Sequence, residues 1–240
     1  MNTYDNLELI SVHIPKCGGT TFSNVLYRIY GDKFAHITNI SQLKDINQDI
    51  RCIHGHYLFD PEWLKIYPNA KICTWIRNPV DRIVSYYVHL KTWKGPAEHI
   101  TELHDRVRNG LSIFDFAEIN NNMFAYIEKI ALNDIDFIGN ISNYRSNVSK
   151  LSKIMNWDDF IAQRYSSYRM GKYNHPAVRD LIITDKDRKE LASILYQDMK
   201  RYKYIKQYYA KFYPNYWRYA SCKEKHDWYK VPKQKIYLPS

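Results

Sequence analysis

The chain has 240 residues, of which 45% are hydrophobic, so it is long enough for one globular domain with a full core. It has no low-complexity segment and no run of 18 apolar residues, which argues against a disordered chain and against a membrane-spanning one. The formal net charge is +10 and favours an acidic partner; residues 196–240 alone contribute +8 of it, from 11 Lys and Arg against 3 Asp and Glu.

The first predicted elements are a strand, a tight loop and a helix. An alternating apolar run from Leu7 to Ile14 stops at Pro15, and the residues that follow take helical spacing, at Phe22, Val25, Leu26, Ile29 and Tyr30. Backbone N–H groups, a lysine and two hydroxyls meet the positive end of the helix dipole in the connecting loop, formed by Lys16, Cys17, Gly18, Gly19, Thr20 and Thr21. This combination predicts a phosphate or sulfate site.

The order of residues in this loop differs from that of a nucleoside-triphosphate site. A Walker loop places its lysine directly before the hydroxyl residue that holds magnesium, whereas here three residues separate Lys16 from Thr20. The order therefore argues against a nucleoside triphosphatase, and a P-loop-type kinase is kept as an alternative.

Two short strands and a pair of histidines are predicted next. Phe34 to Ile37 is the first strand, and Arg51 to His56 is a buried strand that runs into an exposed end. The pattern alone favours His54 as a hydrogen-bonded core residue and His56 as a loop residue. No third ligand lies nearby, so a metal site is not predicted. Pro61 to Leu64 has the pattern of the first turn of a short helix, with proline at its favoured position.

A second strand-to-helix corner lies further along the chain. Ile72 to Ile76 is an apolar run of strand length, Arg77 stands at its end, and Pro79 opens a predicted helix. The apolar positions of that helix fall on one face, and Ser85 lies on another. A strand end that meets a helix start is again suited to an anion.

Both corners resemble motifs of the PAPS-dependent carbohydrate sulfotransferases, including the heparan sulfate 2-O- and 6-O-sulfotransferases. The stretch from His13 to Phe22 is similar to their H-x-P-K-[TC]-G-G-T-[ST]-F loop, and the stretch from Arg77 to Ser85 is similar to their R-[DN]-P-[VI]-[DE]-R-x-x-S motif. The resemblance implies that 3′-phosphoadenylyl sulfate (PAPS) is the sulfuryl donor and 3′-phosphoadenosine 5′-phosphate (PAP) the product. It also implies an α/β, P-loop-like three-layer fold with a central, mainly parallel sheet flanked by helices.

The same resemblance assigns roles to residues. It implies that Arg77 and Ser85 hold the 3′-phosphate, and that Lys16 stabilises the charge on the leaving phosphate. The 5′-phosphosulfate is then held by the rest of the first loop, which is Cys17, Gly18, Gly19, Thr20 and Thr21. Cys17 stands where many relatives have threonine, so one hydroxyl donor is missing while the backbone remains.

The general base is also implied by the resemblance. The 2-O-sulfotransferases carry a similar H-G-H stretch, and its second histidine, here His56, takes the proton of the acceptor hydroxyl. Histidine suits this task because it titrates near neutrality. Glu62 is the alternative base, since some glycan sulfotransferases use a glutamate. The reaction is expected to need no metal.

The remaining elements are predicted from apolar spacing. We expect helices over Ser112–Asn120, Met123–Leu132 and Ser142–Ile154, with a strand over Asp136–Gly139, and acceptor-binding residues between positions 91 and 132 that the sequence cannot name. A capping box at Thr184 opens one long helix with an apolar face that continues to Tyr209. The loop from Arg169 to Pro176 contains two further candidates for a phosphate contact, Arg169 and Lys172.

The domain plan, compartment and partners complete the expectations. We expect a sulfotransferase domain over residues 1–213 and a basic, aromatic tail over 214–240 that packs on the domain or extends from it. Cysteines 17, 52, 73 and 222 are expected to be free thiols, which with the absence of a leader pattern predicts a cytoplasmic protein. The expected partner is an acidic glycan or another hydroxyl-bearing acceptor. The sequence is compatible with peripheral contact to a membrane, and nucleic acid is not an expected partner. The sequence does not indicate the oligomeric state. A non-catalytic polyanion- or nucleotide-binding protein is the other alternative.

Overall fold

The computed structural model of the chain describes residues 6–38, 42, 49–94, 101–158, 164, 181, 183–212 and 234–239. Within these ranges five strands form one sheet in which every neighbouring pair is parallel, in the order β2-β3-β1-β4-β5. The strands are β1 (Leu9–Val12), β2 (Phe34–Ile37), β3 (Cys52–Gly55), β4 (Lys71–Ile76) and β5 (Phe137–Asn140).

Helices flank the sheet. The α-helices are α1 (Gly19–Tyr30), α2 (Trp63–Ile66), α3 (Pro79–Thr92), α4 (Glu102–Arg108), α5 (Ile113–Ile119), α6 (Tyr144–Met155), α7 (Asp185–Ile194) and α8 (Tyr196–Phe212). This is the expected α/β fold with a central parallel sheet, and all five predicted strands are confirmed within one or two residues at their ends.

The strands form where the sequence has short, nearly continuous apolar runs. Every residue of β1, β3 and β5 is buried, which is typical of parallel strands covered on both faces. The edge strand β2 is only partly buried. Cys52 and Cys73 lie in β3 and β4 and are buried, as expected, and neither they nor Cys17 forms a disulfide.

The strand order places a crevice between β1 and β4. The chain leaves β1 toward β2, on one side of the sheet, and leaves β4 toward β5, on the other side. Neighbouring parallel strands whose connections diverge leave an opening at their carboxyl ends, where α/β proteins bind ligands. The register aligns the last residue of β1, Val12, with the last residue of β3, Gly55, so the loops after these two strands begin at one level. Val12 also aligns with Thr74 of β4, which continues for two more residues to Ile76.

Three local predictions are corrected by the structure. Helix α2 begins at Trp63 with Glu62 as its N-cap, so Pro61 precedes the helix instead of opening it. The segment predicted as a helix over Met123–Leu132 instead has the 3-10 helices Met123–Tyr126 and Leu132–Asp134. Contacts outside the segment hold its two ends: the Met123 amide donates to the Asp198 carboxylate of α8 at 3.0 Å, and the Leu132 amide donates to the Ile236 carbonyl.

The long C-terminal helix is also two helices, α7 and α8, which meet at Leu195. The predicted capping box is confirmed, since Thr184 and Asp187 exchange side chain-to-backbone hydrogen bonds at the start of α7. The apolar stripe serves two cores: Leu191 and Leu195 pack with α3 and α5, whereas the tyrosines and isoleucine of α8 pack against the sheet, at Tyr202, Ile205, Tyr208 and Tyr209. A single straight helix does not serve both.

The described end of the tail lies on the domain. The Leu132 amide donates to the Ile236 carbonyl at 2.5 Å, and Arg201 Nε donates to the Pro239 carbonyl at 3.0 Å. The division into residues 1–213 and 214–240 stays a prediction, and Arg169 and Lys172 lie outside the described residues. No helix in the described part of the chain is long and apolar enough to cross a membrane.

Candidate functional site

One cavity of about 720 Å³ lies at the carboxyl ends of the central strands. Its walls come from the loop between β1 and α1, the residue after β3, the cavity face of α3, and segments that follow α3 and β5. Most of the predicted site residues are in these walls, namely Lys16, Gly18, Gly19, Thr20, Thr21, His56, Arg77 and Ser85. Residues separated by up to 69 positions in the chain therefore share one cavity.

The loop between β1 and α1 turns through two residues in the left-handed region. Lys16 has φ 67° and Gly18 has φ 82°; such a φ costs a lysine about 1–2 kcal/mol and costs glycine nothing. Gly18 is the N-cap of α1, and the first N–H groups of a helix have no acceptor inside it. The strained lysine and the free helix start face the same cavity, which is a suitable arrangement for an anion.

Cys17 differs from its neighbours because its side chain is buried beneath the loop and is absent from the cavity walls. Burial raises the pKa of its thiol to about 12, so the thiol stays protonated. The whole residue is 0% exposed, and its backbone N–H donates to the Ile14 carbonyl at 3.2 Å. The side chain anchors the loop to the core, which a threonine hydroxyl would do less well without a partner.

Gly19 is required by a close approach from β1. A Cβ at this position would lie 1.8 Å from the ring of His13, which occupies that space. The His13 ring in turn stacks on His56, with centroids 4.1 Å apart and planes 26° apart, and on His54, with centroids 5.0 Å apart. The loop between β1 and α1 is therefore packed against His54 and His56 through the side chain of His13.

The protonation state of His56 follows from its hydrogen bond. Its Nδ1 lies 3.0 Å from the His13 carbonyl oxygen, which can only accept, so Nδ1 carries the proton. In the neutral ring Nε2 is then an acceptor. Desolvation by the surrounding protein lowers the pKa of His56, an effect partly opposed by the hydrogen bond to His13. The ring is thus neutral at pH 7 with a free basic nitrogen.

His54 is a core residue, as the pattern alone favoured. Its Nδ1 is 2.8 Å from Ser11 Oγ, and burial lowers its pKa to about 3. His13 is similarly buried and its pKa is lowered well below its usual value, first by desolvation. In the described part of the chain no group of three or more histidine, cysteine or carboxylate side chains is arranged to hold a metal ion.

Arg77 connects the second corner to the first. Its Nη1 donates to the Lys16 carbonyl at 3.3 Å, so its guanidinium lies against the backbone of the first loop, and both residues line the cavity. Ser85 lies two turns along α3 and lines the same cavity. Asn78 caps α3 by accepting from the Val80 and Asp81 amides, which fixes the start of the helix beside Arg77.

Arg82 is a buttress that the sequence analysis did not identify. It is 4% exposed, and it donates from Nε to the Pro15 carbonyl at 3.4 Å and from Nη1 to the Asn120 carbonyl at 3.0 Å. It therefore supports the first loop from behind, outside the cavity. The second arginine of the motif that begins at Arg77 was the available signal.

Glu62 lies apart from the cavity. It is exposed on the surface, where it forms an ion pair with Lys65 at 2.8 Å. It lines neither the main cavity nor the neighbouring one of about 420 Å³, although His56 lines both.

The cavity extends beyond the predicted residues into a region that we call the aromatic arm. Its six side chains come from the cavity face of α3 and the C-cap residue after it, from α4 and from the 3-10 helix after α5, and are Tyr86, His89, Leu90, Trp93, His104 and Tyr126. Individual aromatic and histidine residues in charged segments gave no periodic signal, so sequence analysis could not assign them.

A family model described as the sulfotransferase family matches residues 1–205 of the chain. The crystal structure of mouse sulfotransferase SULT7A1 complexed with PAP is similar to this structure with a TM-score of 0.50 and 17% sequence identity, over 86% of this chain and 89% of that one. A sulfotransferase from Alicyclobacillus acidocaldarius matches with a TM-score of 0.36 and 14% identity, over 80% of this chain and 96% of that one. No curated protein sequence matches the chain. The mouse structure shows a shared fold.

Proposed function

The chain belongs to the sulfotransferase family, enzymes that use PAPS as sulfuryl donor, and we propose that its cavity transfers the sulfuryl group to a hydroxyl of a carbohydrate and releases PAP. The observation that carries this proposal is the shared cavity of Lys16 and Arg77, joined by the hydrogen bond from Arg77 to the Lys16 carbonyl. The mouse structure of similar fold was solved with PAP, which supports the same donor here.

The donor fits the chemistry of the two corners. Amides of the α1 start with the hydroxyls of Thr20 and Thr21 would bind the 5′-phosphosulfate, and Arg77 with Ser85 would bind the 3′-phosphate. Lys16 would stabilise the negative charge that grows on the bridging oxygen as the sulfur–oxygen bond breaks. The left-handed backbone of Lys16 is a strain that this role explains.

His56 is proposed as the general base. Its free Nε2 would take the proton of the acceptor hydroxyl while the hydroxyl oxygen forms a bond to sulfur and the sulfur–oxygen bond to the 5′-phosphate breaks. The hydrogen bond from Nδ1 to the His13 carbonyl fixes the tautomer for this step. Glu62 is a poorer candidate because its carboxylate is paired with Lys65 outside the cavity.

The proposal also includes the class of acceptor and the compartment. The net charge of +10 supports an acceptor that is part of an acidic glycan, and the free cysteines support a cytoplasmic setting.

Transfer of labelled sulfuryl from PAPS to a panel of oligosaccharides, polysaccharides and small alcohols tests this function. We expect labelled carbohydrate and one PAP per sulfate transferred. A protein that binds PAP yet labels no hydroxyl compound would contradict the enzymatic proposal and favour a binding protein. A product formed only from ATP and magnesium would favour a kinase.

A further inference from the structure

We infer that the aromatic arm is the acceptor site and that it takes an uncharged sugar ring, held over Trp93 with its hydroxyls hydrogen-bonded to the imidazole and indole nitrogens of the arm. This inference rests on the proposed function, because it names the substrate class of the same cavity. It concerns residues to which the proposed function assigns neither of the donor's phosphates.

The arm is aligned with the donor corner by helix α3. Ser85 and His89 are four residues apart on one face of α3, Trp93 follows four residues later as the C-cap of the helix, and all three line the cavity. At 1.5 Å per residue, Trp93 lies about 12 Å beyond Ser85 along the axis. The cavity thus continues well past the residue assigned to the 3′-phosphate, into walls with no phosphate-binding group.

The arm also has hydrogen-bond donors that call for a partner. Trp93 Nε1 is buried and has no hydrogen-bond partner among the described residues, which is costly unless a ligand supplies one. His104 Nδ1 accepts from the Thr101 amide at 3.1 Å, so the proton of the neutral ring is on Nε2. Hydroxyl oxygens of a sugar can accept from both nitrogens.

The charge of the arm selects among sugars. None of its six side chains carries a carboxylate, an ammonium or a guanidinium group. Burial, and to a smaller extent the charge of Lys16, lowers the pKa of His89 to about 4, and burial lowers the pKa of His104 as well. A phenol has a single hydroxyl, which must face His56 to react, so it would leave the nitrogens of the arm unsatisfied. The carboxylate of an uronic acid would find no fixed cation among the six side chains of the arm.

The arm is connected to the proposed base. Tyr126, which lines the arm, accepts through its carbonyl from the Phe59 amide at 2.9 Å, and Phe59 is three residues after His56. The loop that follows β3 is therefore held against the segment that carries Tyr126, and His56 lines the same cavity as the arm. Trp93 and His89 support each other by an edge-to-face contact, with centroids 5.0 Å apart and planes 65° apart.

Binding and turnover of matched disaccharides test the inference. The PAP-saturated protein is titrated calorimetrically with two disaccharides that differ only in a hydroxymethyl or a carboxylate group on one ring, and the acceptor KM with PAPS is measured for the one that reacts. We expect the neutral sugar to bind better, Trp93→Ala to raise its Kd and KM roughly tenfold or more, and Trp93→Phe, which keeps a six-membered ring but loses the N–H with the five-membered ring, to raise them about three- to tenfold. Affinity for PAP is expected to stay unchanged in both variants.

Tyr27→Ala and Tyr196→Ala are the matched controls, because each removes an exposed aromatic side chain outside the cavity. Neutral sugar binding that depends on Trp93, without any sulfate transfer, would support the arm and contradict the proposed reaction. Transfer with an acceptor KM that Trp93→Ala leaves unchanged would overturn the arm while the reaction stands. A preference for the carboxylated ring, or for a phenol, would overturn the assigned substrate class.

Discussion

The donor corner and the aromatic arm share one cavity but are built differently. At the donor corner the geometry is set by backbone: left-handed φ angles at Lys16 and Gly18, a helix start, and carbonyls of Pro15 and Lys16 held by Arg82 and Arg77. In the arm it is set by side chains that project from α3, α4 and a 3-10 helix. A site formed by backbone groups requires particular residues at a fixed spacing within one short stretch of sequence. A site formed by side chains from several helices leaves no such pattern.

Removal of the proposed base, His56, is expected to give the largest effect on activity. It should impair the chemical step while leaving donor binding intact. His56→Ala should lower kcat by roughly 10²- to 10⁴-fold, because the acceptor proton has no other positioned acceptor, while the Kd for PAP changes little. In the wild type, kcat should fall as the pH drops through a pKa below 6.5, since protonated Nε2 cannot accept a proton.

Glu62→Ala is the comparison variant for this measurement. Its carboxylate pairs with Lys65 at the surface, so its kcat and pH profile should match those of the wild type. A His56→Ala variant with nearly full kcat, or a large loss of kcat in Glu62→Ala, would contradict His56 as the base and favour Glu62.

A change at Gly19 tests whether the donor corner is coupled to the base. The added Cβ of Gly19→Ala would meet the His13 ring, which is confined between His54 and His56, so the ring or the loop must move. We expect the KM for PAPS to rise and kcat to fall, with kcat/KM lower by roughly 5- to 150-fold, measured by steady-state kinetics.

The double variant Gly19→Ala with His13→Ala provides the control, because it restores the space. It should recover much of the affinity for PAPS relative to Gly19→Ala, but not the full kcat, since His56 loses its stacking partner. Equal defects in the single and double variants would show that contact with His13 is not the reason why position 19 requires glycine.

The same difference between backbone and side chains explains which parts of the site could be predicted from the sequence. The strand ends, Lys16, Arg77 and Ser85 were predictable because apolar runs and motif spacing report backbone-built corners. The buttress at Arg82, the stack of His13 on His56 and the aromatic arm depend on contacts between distant segments. The break at Leu195 was missed for a related reason: one apolar stripe packs against two separate cores.

The smallest expected effect is on stability and concerns the buried titratable groups, the histidines above all. The buried His13 and His54 have lowered pKa values, so the unfolded chain binds their protons first and stability falls as the pH drops below about 6.5. Burial raises the pKa of Asp198 to about 6, which acts in the opposite direction between pH 6 and 4. The lowered pKa values of His56 and His89 act in the same direction as those of His13 and His54, so the free energy of unfolding should fall as the pH drops from 6.5 to 4.5, measured by urea denaturation. A constant free energy of unfolding between pH 6.5 and 4.5 would show that these histidines protonate inside the fold.

The most direct measurement of the central claim is the affinity of the protein for PAP and for AMP, which differ by the 3′-phosphate. If Lys16 and Arg77 hold opposite ends of one donor, the wild type should bind PAP far more tightly than AMP. Arg77→Ala should weaken PAP by roughly 10- to 100-fold while AMP changes little, because a charge-assisted contact to the 3′-phosphate is lost. Equal affinity for the two nucleotides, or an equal loss for both in Arg77→Ala, would contradict the account.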